Sequence, residues 1–154
     1  MSGRPLNILL VEDNPDHAEL ARRDLEQFQA ASRLRHVEDG EAAIDYISGR
    51  GIYADRMHFP APDLVLLDLR LPRVDGLEVL RHVKRHPTLH RTLVVMLTTS
   101  DVERDVAMAF EHHADGFLIK PVDFQSLAHL LKDLGFYPSA WNKNPPPPTP
   151  RVEP

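Results

Sequence analysis

Three acidic residues lie directly after apolar runs that have the pattern of β-strands. Glu12 and Asp13 follow the run over residues 6–11, and Asp68 follows the run over residues 64–67. If both runs are strands of one open parallel sheet, their carboxyl ends meet at a topological switch point and the carboxylates share one crevice. Such crowding is costly without a cation. Mg²⁺ suits the place because it takes a few carboxylate oxygens, keeps several waters and reaches a phosphate.

Two further strand ends supply groups that would hold a phosphate. The apolar run over residues 93–97 is followed by the hydroxyl of Thr98, and the run over 116–119 is followed by Lys120. A lysine ammonium acts as a point charge on phosphate oxygens. An acid pair, a lone aspartate, a hydroxyl and a lysine, in this order along the chain, form a set of groups suited to phosphoryl transfer.

The elements that would carry these residues alternate between strands and helices, which is typical of an α/β sheet with right-handed crossovers. The run ending at Asp68 is uninterrupted, as expected for a strand buried on both faces. Asn14 and Pro15 suit the cap and first position of a helix. The sequence therefore predicts an α/β fold, a doubly wound, five-stranded parallel sheet with helices on both faces. Its strands would end at residues 11, 37, 68, 97 and 119, and its helices would cover about 15–28, 41–47, 76–84, 100–112 and 124–134.

Composition excludes several classes of function. The 154 residues fit one domain, and 42% hydrophobic with 27% charged residues is typical of a soluble globular protein. The net charge of −5 and the lack of a dense basic stretch predict no contact with nucleic acid. Without cysteine, disulfides, thiolate catalysis and zinc ribbons are excluded. No apolar run approaches the ~20 residues of a membrane span, and the start lacks a signal peptide core, so we expect a cytoplasmic protein without membrane contact.

Four motifs at the strand ends resemble the receiver domain of two-component response regulators, over roughly residues 7–134. They are Val11-Glu12-Asp13-Asn14, Leu67-Asp68-Leu69-Arg70-Leu71-Pro72 with Asp75-Gly76, Leu97-Thr98-Thr99-Ser100 and Ile119-Lys120-Pro121-Val122-Asp123. The resemblance implies a flavodoxin-like strand order, 2-1-3-4-5. It also implies phosphorylation of Asp68, metal binding by Glu12, Asp13, Asp68 and the Arg70 carbonyl, phosphate pairing by Lys120, and switching by Thr98 and the aromatic Phe117.

In this interpretation Asp68 is the nucleophile, because a carboxylate oxygen can attack the phosphorus of a phosphohistidine in line and form an acyl phosphate. Mg²⁺ on the equatorial oxygens would offset the repulsion between the two anions. The chain would then catalyse only its own phosphorylation and dephosphorylation. The implied partners are a sensor histidine kinase and a downstream target or phosphotransfer protein.

The chain divides into a predicted receiver domain over 6–135, with a long connection over 49–62, and an aromatic and proline-rich tail over 136–154. The connection, the Leu97-to-Ser100 motif and the tail resemble single-domain regulators that partner bacterial phytochrome kinases. The connection could fold onto its own domain or form a docking surface. Because no second domain follows the last predicted helix, we expect output through another protein.

The last helix and the tail base predict a homodimer. An inward stripe leaves several apolar residues uncovered, and such clusters with aromatic anchors mark interfaces. The alternative is that the tail folds back over its own domain. The stripe comprises Phe124, Leu127, Leu131 and Leu134, and the uncovered set comprises Leu130, Phe136, Tyr137 and Trp141.

The third predicted helix has an inward face and a histidine face. Leu77, Leu80 and Val83 would face the core. His82 and His86 are one turn apart, a spacing that suits a metal pair, but no third ligand is evident and a solvated face is the favoured interpretation.

Two residues depart from the family pattern. His113 occupies a helix end where the family usually has glycine, and histidine tolerates the left-handed backbone expected there better than most residues. Arg70 occupies a variable position beside the phosphate, which influences how water reaches the acyl phosphate.

Two rival functions remain open. A Mg²⁺-dependent phosphohydrolase of the haloacid dehalogenase type also uses an aspartate after a strand, but it needs a second acid two residues later, where this chain has Arg70. A receiver-like adaptor that is never phosphorylated would keep the fold for docking alone. Thr98 could also be simply a β-branched strand residue.

Overall fold

The computed structural model describes residues 6–26, 32–87, 89, 91–98, 113–120 and 123–134. Its strands form one parallel sheet in the order β2-β1-β3-β4-β5, which confirms the predicted α/β fold and strand order. The strands are β1 (Leu6–Val11), β2 (Ser32–Val37), β3 (Leu64–Asp68), β4 (Leu93–Thr98) and β5 (Gly116–Ile119). The described α-helices are α1 (Pro15–Glu26), α2 (Gly40–Ser48), α3 (Gly76–Arg85) and α4 (Phe124–Asp133), and a 3₁₀ turn covers Gly51–Tyr53. The helix predicted over 100–112 and the tail over 136–154 lie outside the described residues.

Helices cover both faces of the sheet because side chains alternate along each strand. Leu64 and Leu66 of β3 pack in the core that also contains residues of α1 and α4. Val65 and Leu67 pack in the core that contains residues of α2 and α3. Every residue of β3 is buried, as the uninterrupted apolar run predicted.

Short polar side chains begin the helices. Asn14 Oδ1 accepts hydrogen bonds from the backbone N–H of Asp16 (2.9 Å) and His17 (3.2 Å), which confirms the predicted cap of α1. Asp75 Oδ1 does the same for α3, with the N–H of Leu77 at 2.9 Å. These caps fix where each helix leaves the carboxyl end of the preceding strand.

Helix α3 differs in one respect from its predicted face. Val79, Leu80 and Val83 are fully buried, whereas Leu77 is only partly buried against the same core. Because α3 packs on both the sheet and α2, its buried face is rotated toward Val79 relative to the stripe read from spacing alone. The backbone of His113 has φ 70°, so the predicted left-handed turn is confirmed.

The connection over 49–62 packs onto its own domain. The rings of Tyr53 and Phe59 pack against Tyr46 of α2, with centroids 5.0 and 6.0 Å away. Arg56 donates from Nη1 to the carbonyl of Tyr46 (2.9 Å) and from Nη2 to that of Ile47 (2.8 Å). Arg56 thus adds side-chain donors to carbonyls in the last turn of α2, where backbone partners run out. Ile52 and Met57 point outward and are 75% and 88% exposed.

Among the described helices, none is both long and apolar enough to cross a lipid bilayer.

Candidate functional site

Three carboxylates meet at the carboxyl edge of the sheet, as the strand ends predicted. Glu12 follows β1, Asp13 comes next, and Asp68 ends the neighbouring strand β3. One oxygen from each lies within 4.8 Å of the others. Glu12 and Asp68 are 2% and 6% exposed, whereas Asp13 is exposed to solvent. The site therefore combines two buried acids with one that faces the crevice.

Lys120 joins the two buried acids. It follows β5, and its Nζ lies 2.7 Å from Glu12 Oε1 and 2.9 Å from Asp68 Oδ2. Burial disfavours the charged ammonium, but hydrogen bonds to Glu12 and Asp68 outweigh this and raise the pKa of Lys120. The ammonium is therefore held between the two buried carboxylates, and its pairing with a phosphate stays a prediction.

Glu12 is held in a position that opposes its ionisation. Burial raises the pKa of its carboxyl and the nearby charge of Asp68 raises it further, while hydrogen bonds from Lys120 and the Asn14 backbone N–H oppose the shift. The Asn14 bond reaches Glu12 Oε2 at 3.1 Å. A divalent cation among these oxygens would favour the charged forms. Hard carboxylate oxygens with one side open to water are the donors that suit Mg²⁺ or Mn²⁺.

The loop after Asp68 is shaped by close backbone contacts. Asp68 Oδ1 accepts a hydrogen bond from the N–H of Arg70 at 3.0 Å, which orients the carboxylate. A Cβ on Gly76 would lie 2.3 Å from the carbonyl oxygen of Asp68, and a Cβ on Gly40 would lie 1.7 Å from that of Val74. Both positions need glycine, since larger residues would displace the loop that orients the carboxylate.

Thr98 lies at the crevice, and Phe117 lies on the neighbouring strand β5. Thr98 ends β4, is 5% exposed and lines the same cavity as Asp68 and Lys120. Phe117 pairs in register with Met96, and both lie on the sheet face that also carries Thr98, because side chains alternate along β4. Phe117 is half-buried. Their role in switching stays a prediction.

The cavity around these groups has a volume of about 300 Å³ and opens to solvent. Its lining residues are Glu12, Asp13, Asn14, His17, Asp68, Leu69, Arg70, Thr98 and Lys120. The Arg70 side chain is exposed at the rim, and metal binding by its carbonyl stays a prediction. The structure thus brings together all the sequence-predicted active-site residues other than Phe117.

Two histidines beside the site were missed from the sequence. His36 Nε2 lies 2.8 Å from the carbonyl oxygen of Glu12, and His17 Nδ1 lies 3.9 Å from Glu12 Oε2. The position of β2 beside β1 could have indicated His36, which precedes the end of β2 by one residue. The predicted start of α1 could have indicated His17, because the first turn of this helix comes directly after Glu12 and Asp13 in the chain.

Comparisons with known proteins agree with this geometry. The family model for the response regulator receiver domain matches residues 8–132. A relative from Methanothrix harundinacea, named "Probable methanogenesis regulatory protein FilR2", is 40% identical over 148 residues, 93% of this chain and 90% of the relative. The response regulator Rcp1 of Synechocystis sp. is 37% identical over 133 residues, 86% of this chain and 88% of Rcp1.

Solved structures give the same result. The bacteriophytochrome response regulator AtBRR aligns with a TM-score of 0.76 at 43% identity, over 86% of this chain and 94% of AtBRR. The Mn²⁺-bound form of Rcp1 aligns with a TM-score of 0.71 at 35% identity, over 94% of this chain and 100% of Rcp1. Phytochrome response regulators are therefore among the structural neighbours of this chain.

Proposed function

The chain belongs to the response regulator receiver family, and we propose that it accepts a phosphoryl group from a sensor histidine kinase onto Asp68 in a Mg²⁺-dependent reaction. The observation that carries the proposal is the position of Asp68. Its carboxylate is oriented by the N–H of Arg70 at 3.0 Å and lies within 2.9 Å of the Lys120 ammonium. A nucleophile next to a fixed positive charge and two further acids suits phosphoryl transfer.

In the transfer, an oxygen of Asp68 forms a bond to phosphorus while the bond from phosphorus to the kinase histidine nitrogen breaks. The imidazole leaves with the electron pair of that bond and takes up a proton. Lys120 exchanges its contact with Asp68 for a contact with a phosphoryl oxygen and stabilises the negative charge there. Thr98 donates its hydroxyl to another phosphoryl oxygen.

Glu12 and Asp13, with Asp68 and the carbonyl of Arg70, would hold the Mg²⁺. When bound, the ion offsets the repulsion between the carboxylate and the phosphoryl group. The likeness to the Mn²⁺-bound form of Rcp1 supports a divalent ion at this edge of the sheet.

The chain is proposed to act in a phytochrome pathway in the cytoplasm. The likeness to AtBRR and Rcp1 supports this assignment. Output would pass by protein contact to a downstream target or phosphotransfer protein. The contact of Thr98 with the phosphoryl group supplies the differential interaction that shifts the conformational equilibrium, with Phe117 following.

The chain is also proposed to form a homodimer through α4 and the base of the tail. Within the described part of this region, Leu127 and Leu131 are buried as the inward stripe predicted. Leu130 is more covered than expected, since its Cδ2 would lie 2.9 Å from a Cβ on Gly116 of β5. Sedimentation equilibrium of the full chain against a version ending at Gly135 tests the dimer, and monomers in both would reject it.

Phosphotransfer profiling tests the function. The purified chain is mixed with phosphorylated histidine kinases of its source organism, phytochrome kinases included, with and without Mg²⁺. We expect rapid, Mg²⁺-dependent, acid-labile labelling by a phytochrome kinase and none of Asp68→Asn. Labelling by a different kinase alone would reassign the pathway and keep the receiver function. Failure to label with any kinase or with acetyl phosphate, together with no binding of beryllofluoride, would favour the adaptor.

A further inference from the structure

The loop over residues 69–75 joins Asp68 to helix α3 and carries two groups that the proposed site uses. The N–H of Arg70 donates to Asp68 Oδ1 at 3.0 Å, and the carbonyl of Arg70 is an expected metal ligand. The base of the loop is closed by a hydrogen bond from the N–H of Gly76 to the carbonyl of Leu69 at 3.1 Å. Contacts that hold the tip of this loop therefore also affect the position of Arg70.

The tip of the loop lies against the first turn of α2. The N–H of Gly40 donates to the carbonyl of Pro72 at 3.5 Å, and a Cβ on Gly40 would lie 1.7 Å from the carbonyl oxygen of Val74. The backbones of the two segments thus approach each other without an intervening side chain. At 3.5 Å the hydrogen bond is weak, so the Gly40 contact by itself holds the tip loosely.

Arg73, at this tip, pairs with two acids at the start of α2. Its Nη1 lies 3.0 Å from Glu41 Oε1, and its Nε lies 3.6 Å from Asp39 Oδ2. The Asp39 carboxylate is itself oriented, because its Oδ1 accepts a hydrogen bond from the N–H of Ala42 at 2.7 Å as the cap of α2. One guanidinium therefore bridges two carboxylates across the contact between the loop and the helix.

The backbone of Arg73 indicates that this side chain has a role. Its φ is 69°, in the left-handed region that favours glycine and is unfavourable for a residue with a Cβ. Strained residues of this kind persist where surrounding contacts hold them, and they cluster at functional sites. The two ion pairs supply such contacts, so the side chain explains why an arginine occupies a turn that suits glycine.

We propose that Arg73 is a positioning residue for the metal site. Its two ion pairs fix the tip of the loop, and the fixed loop holds the backbone of Arg70 beside Asp68. The inference rests on the proposed function, because it concerns the Mg²⁺ that this function requires. Arg73 does not line the cavity around Asp68, so it acts through the loop and not by contact with the ion. A loosened tip lowers the fraction of chains with Arg70 in the binding arrangement, and the apparent Mg²⁺ affinity falls by that fraction.

Two measurements on the full chain test this role: calorimetric titration with Mg²⁺, and amide hydrogen exchange without metal. Urea denaturation measures stability alongside. Arg73→Asn removes the guanidinium and keeps a residue that tolerates the left-handed backbone. Glu41→Gln removes the closer acid, and Arg73→Lys keeps the positive charge. The matched control is Arg23→Gln, because Arg23 is also exposed and its Nε lies 3.1 Å from Glu19 Oε2 on α1.

We expect the Mg²⁺ affinity of Arg73→Asn to fall by about three- to tenfold, since the variant loses two exposed ion pairs. Loss of a positive charge near the site would by itself raise the affinity for a cation, so a fall separates positioning from long-range charge. Hydrogen exchange at the N–H of Arg70 should become faster in Arg73→Asn and Glu41→Gln. The urea midpoint of Arg73→Asn should change little, because relief of the backbone strain offsets the lost pairs. Arg73→Lys should keep most of the affinity, and Arg23→Gln should keep both the affinity and the exchange rate.

Three results would overturn the role of Arg73 and leave the proposed function intact. The first is equal Mg²⁺ affinity and equal exchange in Arg73→Asn and the unmodified chain. The second is a higher affinity in Arg73→Asn, because long-range charge alone would then act. The third is a lower urea midpoint with unchanged affinity, which would make Arg73 a structural contact only. Absence of Mg²⁺ binding by the unmodified chain would instead reject the metal site of the proposed function, and this inference with it.

Discussion

Aspartates lie at both ends of the sheet, but the two ends differ in how many hydrogen-bond donors surround each carboxylate. At the amino end, Asp115 Oδ2 accepts hydrogen bonds from Lys84 Nζ and from the backbone N–H of Val94, both at 2.7 Å. Asp63 Oδ2 likewise accepts from the N–H of Asn7 at 2.9 Å. At the carboxyl end, Asp68 shares one lysine with a second buried acid.

The difference indicates how one residue type can join strands at one edge of the sheet and, in the proposed function, accept a phosphoryl group at the other. At the amino end, backbone donors and Lys84 satisfy the carboxylates, so these acids join strands to each other. At the carboxyl end, the acids outnumber their donors, which suits the cation and the phosphoryl group of the proposed function. The ratio of carboxylates to hydrogen-bond donors therefore distinguishes a structural aspartate from a candidate functional one better than solvent exposure does.

The largest expected contrast is between function and stability at Asp68. Asp68→Asn should abolish acid-labile labelling by acetyl phosphate, because the amide is not a nucleophile of this kind. The free energy of unfolding should change by less than about 1 kcal/mol, since the variant also removes a charge from a crowded group of acids. Labelling and urea denaturation measure the two effects. Retained labelling would refute the assignment of Asp68, and a large loss of stability would remove the contrast.

The opposite result is expected at the amino end. Asp115→Asn should lower the free energy of unfolding by about 2–4 kcal/mol, because it leaves Lys84, 12% exposed, without its carboxylate. Labelling of Asp68 should persist. Urea denaturation is the measurement, and Asp133→Asn at an exposed position of α4 is the matched control. Equal stability of the two variants would show that Asp115 is not a structural contact.

The sequence predicted the acids at the carboxyl edge of the sheet, but it did not predict the contacts at the amino edge. Apolar runs followed by Glu12 and Asp68 mark the carboxyl edge in the sequence. Asp63 and Asp115 lie in loops before strands, and their partners are set by strand register, which local patterns do not show. The contacts of Arg56 with the end of α2 could not be predicted for the same reason. They depend on the position of the last turn of α2 in the folded chain, which the local sequence does not show.

A smaller effect is expected from metal binding at the crowded edge. Mg²⁺ at about a hundred times its Kd should stabilise the fold by about 2.7 kcal/mol, since it binds the folded state alone. Asp13→Asn should remove most of this gain, whereas Asp115→Asn should keep it. Thermal unfolding with and without Mg²⁺ is the measurement. An equal gain in Asp13→Asn would place the ion elsewhere.

The last prediction concerns switching at Thr98, the final residue of β4, where we expect the smallest change in stability. Thr98→Ala should still accept phosphate but lose much of the phosphorylation-dependent change in partner binding or dimerisation, because it lacks the hydroxyl that contacts the phosphoryl group. Thr92→Ala, at the residue just before β4 begins, is the control and should switch normally. Binding assays with and without beryllofluoride compare the two. Normal switching in Thr98→Ala would refute the relay through Phe117.

The clamp formed by Arg56 has a consequence for how such chains diverge. Arg56 fastens the connection to the last carbonyls of α2 and to the carbonyl of Phe59 at 3.1 Å. Ile52 and Met57 project into solvent beyond this clamp, and neither lines the cavity around Asp68. Substitutions at this projecting tip would therefore change the surface that the chain offers to other proteins, while the side chains that line the cavity around Asp68 stay as they are.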